Sequence, residues 1–206
     1  MRIGWRILLG MALTAALVVA APGCGGGGDG GGGGSSATVQ GTVHDDGTLQ
    51  PINGATVAVG SETATTSANG SFSLETTSGT RTISVSAAGY QDVELTETLA
   101  PGTNSLGAIY VEPELEEGKG AVTGMVTSSG AAAPGATLVS GNARATAKPD
   151  GSYALYNMEA GERGITAVSA DGTTTGWATV DVEDGETTTG VNIALTLSPP
   201  PPPLLQ

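Results

Sequence analysis

"ANGSFSL" occupies residues 68–74, and "PDGSYAL" occupies residues 149–155. Each sets an Asn-Gly or Asp-Gly pair ahead of a short run in which apolar and small polar residues alternate. The dipeptide supplies the positive φ angles of a tight hairpin. The alternation has the period of a strand with one buried face. Two strand turns of one pattern, met twice in one chain, predict a repeated all-β unit.

The flanking markers extend the match. Gly41 pairs with Gly124, "NGATV" (53–57) with "PGATL" (134–138), Gly79 and Arg81 with Gly161 and Arg163, and Gly102 with Gly185. Gly89–Tyr90 pairs with Gly176–Trp177 once a longer loop, "DGTTT" (171–175), is allowed. A period near 80 residues implies two domains of one kind rather than a solenoid. Alternation recurs in "VQGTV", "RTISVSA", "DVELT" and "VNIALTL", where Val191, Ile193, Leu195 and Leu197 share a face. Thr and Val suit a pleated, half-buried surface, and no helical period of useful length occurs after residue 23. The expected fold is two tandem antiparallel β-sandwiches. The first spans 37–113 and the second 120–198. Phe72 and Tyr153 hold matching positions and are the expected core anchors.

The motif order G-x-V, PxxGATV, (N/D)GS(F/Y)xL, G-x-R, G(Y/W) resembles the carboxypeptidase regulatory-like family. That resemblance implies transthyretin-like (prealbumin- or Ig-like) sandwiches of about seven strands, related to carbohydrate-binding-like modules, over both copies. It brings no peptidase activity, since nothing like "HxxE" is present.

Residues 1–23 read as an export signal. Arg2 and Arg6 precede an uncharged apolar run, residues 7–21. As a helix that run covers ~22 Å, short of the ~30 Å hydrocarbon core, which fits a signal h-region better than a span. "APGC" (21–24) then resembles the lipobox of bacterial lipoproteins. The resemblance implies cleavage before Cys24, diacylglycerol on its sulfur and a further acyl chain such as palmitate on its amine. Gly25, where the family's inner-membrane proteins carry Asp, implies the outer membrane. Cleavage near Ala20–Ala21 with a free thiol and a retained anchor are the competing readings. Residues 24–36, nearly all glycine, read as a disordered tether with an end-to-end reach of ~17–21 Å. No strand precedes this run and no "GK[ST]" follows it, so it is not a phosphate loop.

Charge narrows the partners. The 206-residue chain carries 20 acidic and seven basic residues, and two of the seven lie in the signal. Such a surface repels phosphate backbones, so nucleic-acid binding is not expected. The acidic stretch "EPELEEGKG" (112–120) contains the inter-domain linker 114–119, read as a solvated spacer, with a calcium site at the interface as the rival reading; no "DxDxDG" loop occurs. Residues 199–206 form a Pro-rich tail, either disordered or a polyproline ligand for an aromatic groove.

The sequence yields no catalytic constellation. His44, the only histidine, is expected on an exposed turn. A zinc site would need about three His or Cys ligands, so no metal and no cofactor are expected. Asp181, Glu183, Asp184 and Glu186 read as solvated charge at a strand exit. Trp177 alternates with Thr179 and Asp181, opposite Ala178, Val180 and Val182, which puts it on the polar face. Two readings of it stay open: a ring covering the end of the core, or a platform for sugar. The functional expectation is a non-enzymatic, lipid-anchored envelope protein whose sandwiches serve structural or protein-interaction roles; the alternative is a carbohydrate-binding module for polysaccharide or cell-wall glycan.

Overall fold

The computed structural model describes residues 34–197. The expected signal, Cys24, most of the glycine tether and the proline tail lie outside the described residues. Within them every regular element is a strand.

The first region contains β1 (Ser36–Asp45), β2 (Thr56–Val59), β3 (Glu62–Thr65), β4 (Ser71–Thr77), β5 (Gly79–Ser86), β6 (Val93–Leu99) and β7 (Gly102–Val111). They form two sheets, β4-β1-β7 and β3-β2-β5-β6. Period-two alternation turns Val39, Val43, Val57, Phe72, Ile83, Val85 and Ile109 into one core between the sheets. The second region contains β8 (Lys119–Ser128), β9 (Ala131–Ala132), β10 (Thr137–Ser140), β11 (Ala143–Thr146), β12 (Ser152–Glu159), β13 (Gly161–Val168), β14 (Thr174–Val182), β15 (Thr187–Thr188) and β16 (Ile193–Leu197). Its core holds Val122, Val126, Leu138, Tyr153, Leu155, Ile165 and Ile193. The two clusters share no residue.

Both sandwiches add a parallel ladder to the expected antiparallel pairing. β1 runs parallel to β7, and β8 runs parallel to β15 and β16. A parallel pair needs a long crossover, and here the opposite sheet supplies it. The second region also joins its layers into one path, because β16 pairs with both β8 and β14, at Thr174↔Leu197 and Thr175↔Thr196. In the first region the same contact shrinks to a single bridge, Tyr90↔Pro113. Pro113 has no N–H with which to extend a ladder.

The two signature turns differ from simple hairpins. Only Gly70 (φ 75°) and Gly151 (φ 83°) of each dipeptide have positive φ. Gly70 N–H donates to the Ser67 carbonyl and Ser67 N–H to that of Ser71; Gly151, Lys148 and Ser152 repeat the arrangement. Each turn carries the chain from one edge strand across to another (β3 to β4, β11 to β12) rather than between ladder partners. The anchors behave as expected: Phe72 is 6% and Tyr153 2% exposed. Each ring lies over the glycine directly across its ladder, Gly41↔Phe72 and Gly124↔Tyr153. Tyr153 adds a hydrogen bond from its hydroxyl to the Val191 carbonyl (2.7 Å), and burial raises its phenol above the usual tyrosine value.

Candidate functional site

A polar cluster lies where the two sandwiches meet. β1 ends in "HDDGTL" (44–49), a turn closed by the Leu49 N–H on the Asp45 carbonyl (2.9 Å). Asp45 Oδ1 accepts from Gly47 N–H, Thr48 N–H and the Thr48 hydroxyl, which fixes the turn locally. Its other oxygen accepts the Tyr90 hydroxyl at 3.0 Å. Partial burial and then the Asp45 charge push the Tyr90 phenol up to about 12. Asp46 reaches into the second sandwich. Lys148 Nζ lies 2.5 Å from Asp46 Oδ1, and the Tyr156 hydroxyl donates to Oδ2 at 3.0 Å. Lys148 also sits 5.0 Å above the Tyr110 ring centroid, a cation–π geometry. Burial, reinforced by the Asp46 and Glu112 carboxylates, holds the Tyr156 phenol far above its ordinary value.

The backbone takes part. Thr146 N–H, at the outer edge of β11, donates to the Gly47 carbonyl (2.8 Å). Gly47 is buried, and a Cβ there would stand 2.9 Å from the Ala154 carbonyl oxygen and 3.2 Å from the Tyr156 ring. The turn thus seats on the β12 face with no room for a side chain.

The linker is tied at both ends through its backbone, while the Glu114, Glu116 and Glu117 side chains stay exposed as expected of a solvated spacer. Gln91 N–H donates to the Glu112 carbonyl and Glu114 N–H to that of Gly89. Asn157 then grips it from the second sandwich: its Oδ1 accepts Glu116 N–H (2.9 Å) and its Nδ2 donates to the Glu114 carbonyl (3.2 Å). Gly118 N–H donates to Asp184 Oδ1 (2.9 Å). Asn157 has φ 56° at a bulge in β12, a conformation asparagine tolerates better than most residues. Beside the joint lies an open cleft of about 490 Å³, bordered by Thr48, Glu116, Lys119, Asn142 and Arg144.

His44 is half-buried on β1, not exposed on a turn. Its Nδ1 donates to the Leu49 carbonyl and its Nε2 lies 3.0 Å from Thr42 Oγ1. The ring is tilted against Tyr110 at 5.9 Å. These contacts give it a local structural task. Asp181, Glu183 and Glu186 are exposed, and Asp184 holds Gly118 as described.

Trp177 stands outward on β14 and is 78% exposed. It does not cover the core, and the register explains why. Trp177 pairs across from Thr166, the counterpart of Ser84, and Ser84 faces Glu94. Trp177 therefore holds the place of exposed Glu94, while the Tyr90↔Pro113 bridge matches Thr174↔Leu197. The alignment of Gly176–Trp177 with Gly89–Tyr90 is corrected accordingly. Around Trp177 on the same face lie Thr166, Thr179 and Gly164, all exposed. The sequence reading missed Asp46, Lys148, Tyr156 and Asn157. A signal existed: at these places the two copies disagree, with Ser67 and Glu75 where the second has Lys148 and Tyr156.

Residues 38–109 match the carboxypeptidase regulatory-like domain. The chain thus contains one such domain followed by a further β-sandwich region. No curated protein matches it. Similar solved structures include a C-terminal interface mutant of a type II cohesin–X-dockerin complex from Acetivibrio cellulolyticus, at 23% identity over 35% of this chain and 52% of that chain with TM-score 0.32. The Bacillus anthracis TIE protein is 14% identical over 79% of this chain and 34% of its own, with TM-score 0.33. A streptococcal ancillary pilin is 14% identical over 77% and 62%, with TM-score 0.31. Each is covered over less than two thirds of its own length.

Proposed function

We propose that this is a non-enzymatic envelope lipoprotein that presents two joined β-sandwiches to other envelope components. Cleavage before Cys24 and acylation there would anchor it, with the outer membrane favoured by Gly25. Three acyl chains at ~0.8 kcal/mol per buried methylene would make release negligible. The observation that carries the reading is the joint. Asp46, held by Lys148 and Tyr156, and a buried Gly47 make the pair one presenting unit. The polar residues gathered at the joint are spent on holding the turn and the linker. Cross-linking in intact cells with mass spectrometry, comparing wild type with Cys24→Ala, tests the proposal. It expects acyl mass on Cys24 and envelope neighbours that disappear in the variant. An N-terminus elsewhere, or unmodified protein free in the medium, counts against it.

A second reading is favoured by one observation. The bare Trp177 ring, flanked by Thr166 and Thr179 hydroxyls, is the kind of surface on which sugar rings stack. Calorimetric titration with cell-wall glycans should give heat that Trp177→Ala abolishes; absence of heat with every glycan removes this reading.

A further inference from the structure

The joint uses two surfaces, and the repeat supplies each of them a second time. The inserted surface is the turn after the first strand, Asp45–Gly47. The receiving surface is Thr146 on β11, Lys148 in the turn that follows, and Ala154 and Tyr156 on β12. The 81-residue offset of the signature turns places Thr65, Ser67, Ser73 and Glu75 at the receiving positions of the first sandwich. All four are exposed. Thr65 occupies the same rung of its ladder as Thr146, Thr56↔Thr65 against Thr137↔Thr146. Its N–H therefore faces out from the edge strand, as the Thr146 N–H does. Thr65 and Ser73 border a shallow groove of about 660 Å³ floored by Gly41 and Gly107. The place of the inserting turn is taken by Ser128–Ser129–Gly130 between β8 and β9, wound differently from Asp45–Gly47 because Ser129 and Gly130 both have positive φ, and both are exposed. One receiving face and one inserting turn are thus left over, on different sandwiches.

Their side chains have changed together. In the joint an acid, Asp46, meets Lys148 and a hydroxyl, Tyr156. In the leftover pair Ser129 replaces Asp46, Ser67 replaces Lys148 and Glu75 replaces Tyr156. An aspartate at 129 would confront Glu75. Serine there can donate a hydrogen bond to that carboxylate, and no lysine is needed where no acid arrives. Ser129 already has the left-handed backbone (φ 51°) of an exposed turn tip.

We propose that the occupant of the first sandwich's free face is the Ser128–Gly130 turn of a second copy of this chain. Such a contact joins two different surfaces, and repeated from copy to copy without closing it builds an open row. It is weaker than the joint. The turn is two residues shorter than its counterpart, and the joint alone gains the ~mM effective concentration that a short connector provides. Confinement of many copies to one membrane would offset that loss. The proposal rests on the interaction reading above for its partner class, but not on acylation.

Sedimentation velocity of the full chain in detergent, across a wide concentration range, tests it. Wild type should associate progressively, without a limiting dimer. Glu75→Lys and Ser129→Asp should each weaken association about tenfold, because each sets a mismatched group across the contact. The double variant sets an acid at 129 against a lysine at 75, the place that Tyr156 holds in the joint, and this opposite-charge pair should restore association. Both positions are exposed, so unchanged melting temperatures verify folding. Wild type that stays monomeric throughout, or a double variant no better than the singles, overturns the proposal. Loss of acylation at Cys24 would overturn the anchoring reading and leave this result unchanged.

Discussion

Gly124 offers the sharpest test of how the second sandwich is held together. A Cβ at this position would overlap the Val191 carbonyl and stand 3.1 Å from the Tyr153 ring. Neither neighbour can yield cheaply. Val191 is pinned by its N–H on the Thr123 carbonyl (3.1 Å) and by the Tyr153 hydroxyl (2.7 Å), and Asn192 Oδ1 holds Met125 N–H (3.0 Å). Gly124→Ala should cost ~1–3 kcal/mol by overpacking and about 1 kcal/mol more through the displaced tyrosine hydrogen bond. For a domain of this size that lowers the melting temperature by roughly 10–20 °C. Gly41→Ala makes the matching change in the first sandwich. There the added carbon meets the Gly107 carbonyl oxygen at 2.9 Å and the edge of Phe72 at 3.1 Å, so the cost should be lower, ~1–2 kcal/mol. Gly164→Ala is the control. It lies in strand backbone with nothing within 4 Å, and should gain ~0.4–1 kcal/mol by restricting the unfolded chain. Scanning calorimetry and urea titration of the three variants decide the matter. Wild-type melting in Gly124→Ala, or a larger loss in Gly41→Ala, refutes the reasoning.

Phe72→Ala should cost ~3–5 kcal/mol and unfold the first sandwich, seen as loss of its calorimetric transition. Tyr153→Phe should cost about 1 kcal/mol, because the ring stays and only the bond to the Val191 carbonyl is lost. Asn157→Gly keeps the left-handed backbone and removes the grip on the linker, so hydrogen exchange at Glu116 should rise while the cores keep their protection. In base, Tyr90 is neutral when folded up to about 12 but ionises near 10 when unfolded. Its contribution is therefore whole below pH 10 and is lost as pH climbs toward 12. Tyrosinate absorbance should show this step near pH 12, and Tyr90→Phe should remove that step while the later ionisations of Tyr153 and Tyr156 remain.

The β class, the two copies and the paired anchors were legible because each is written in local pattern: alternation, turn glycines and aromatics at matching offsets. The parallel ladders were not, since pairing direction depends on crossovers that local period does not encode. Trp177 was misplaced for a similar reason. Its loop is longer than its counterpart, and counting from the nearest glycine skipped the rung that pairs it with Thr166. The joint was harder still. "HDDGTL" looks like any solvated turn, and only tertiary placement brings Asp46 to Lys148, 102 positions away. Glu112 to Lys119 read as repelling charge, yet its backbone, not its carboxylates, makes most of the hydrogen bonds that fasten it.

The side-by-side course of β1 and β7 bears on tension. The chain enters the first sandwich at the start of one strand and leaves at the far end of its parallel neighbour, paired from Ala37↔Gly102 to Asp45↔Val111 with one bulge between Gln40 and Thr42. A pull on the two ends slides these strands along each other and strains every rung of the ladder together, instead of unzipping them one by one. In the second sandwich the corresponding ladder is split into two short patches, Thr187–Thr188 and Ile193–Leu195, with only the Val191 N–H on the Thr123 carbonyl and the Asn192 side chain on Met125 N–H between them. Under a steady pull along the chain, the second module should therefore give way before the first.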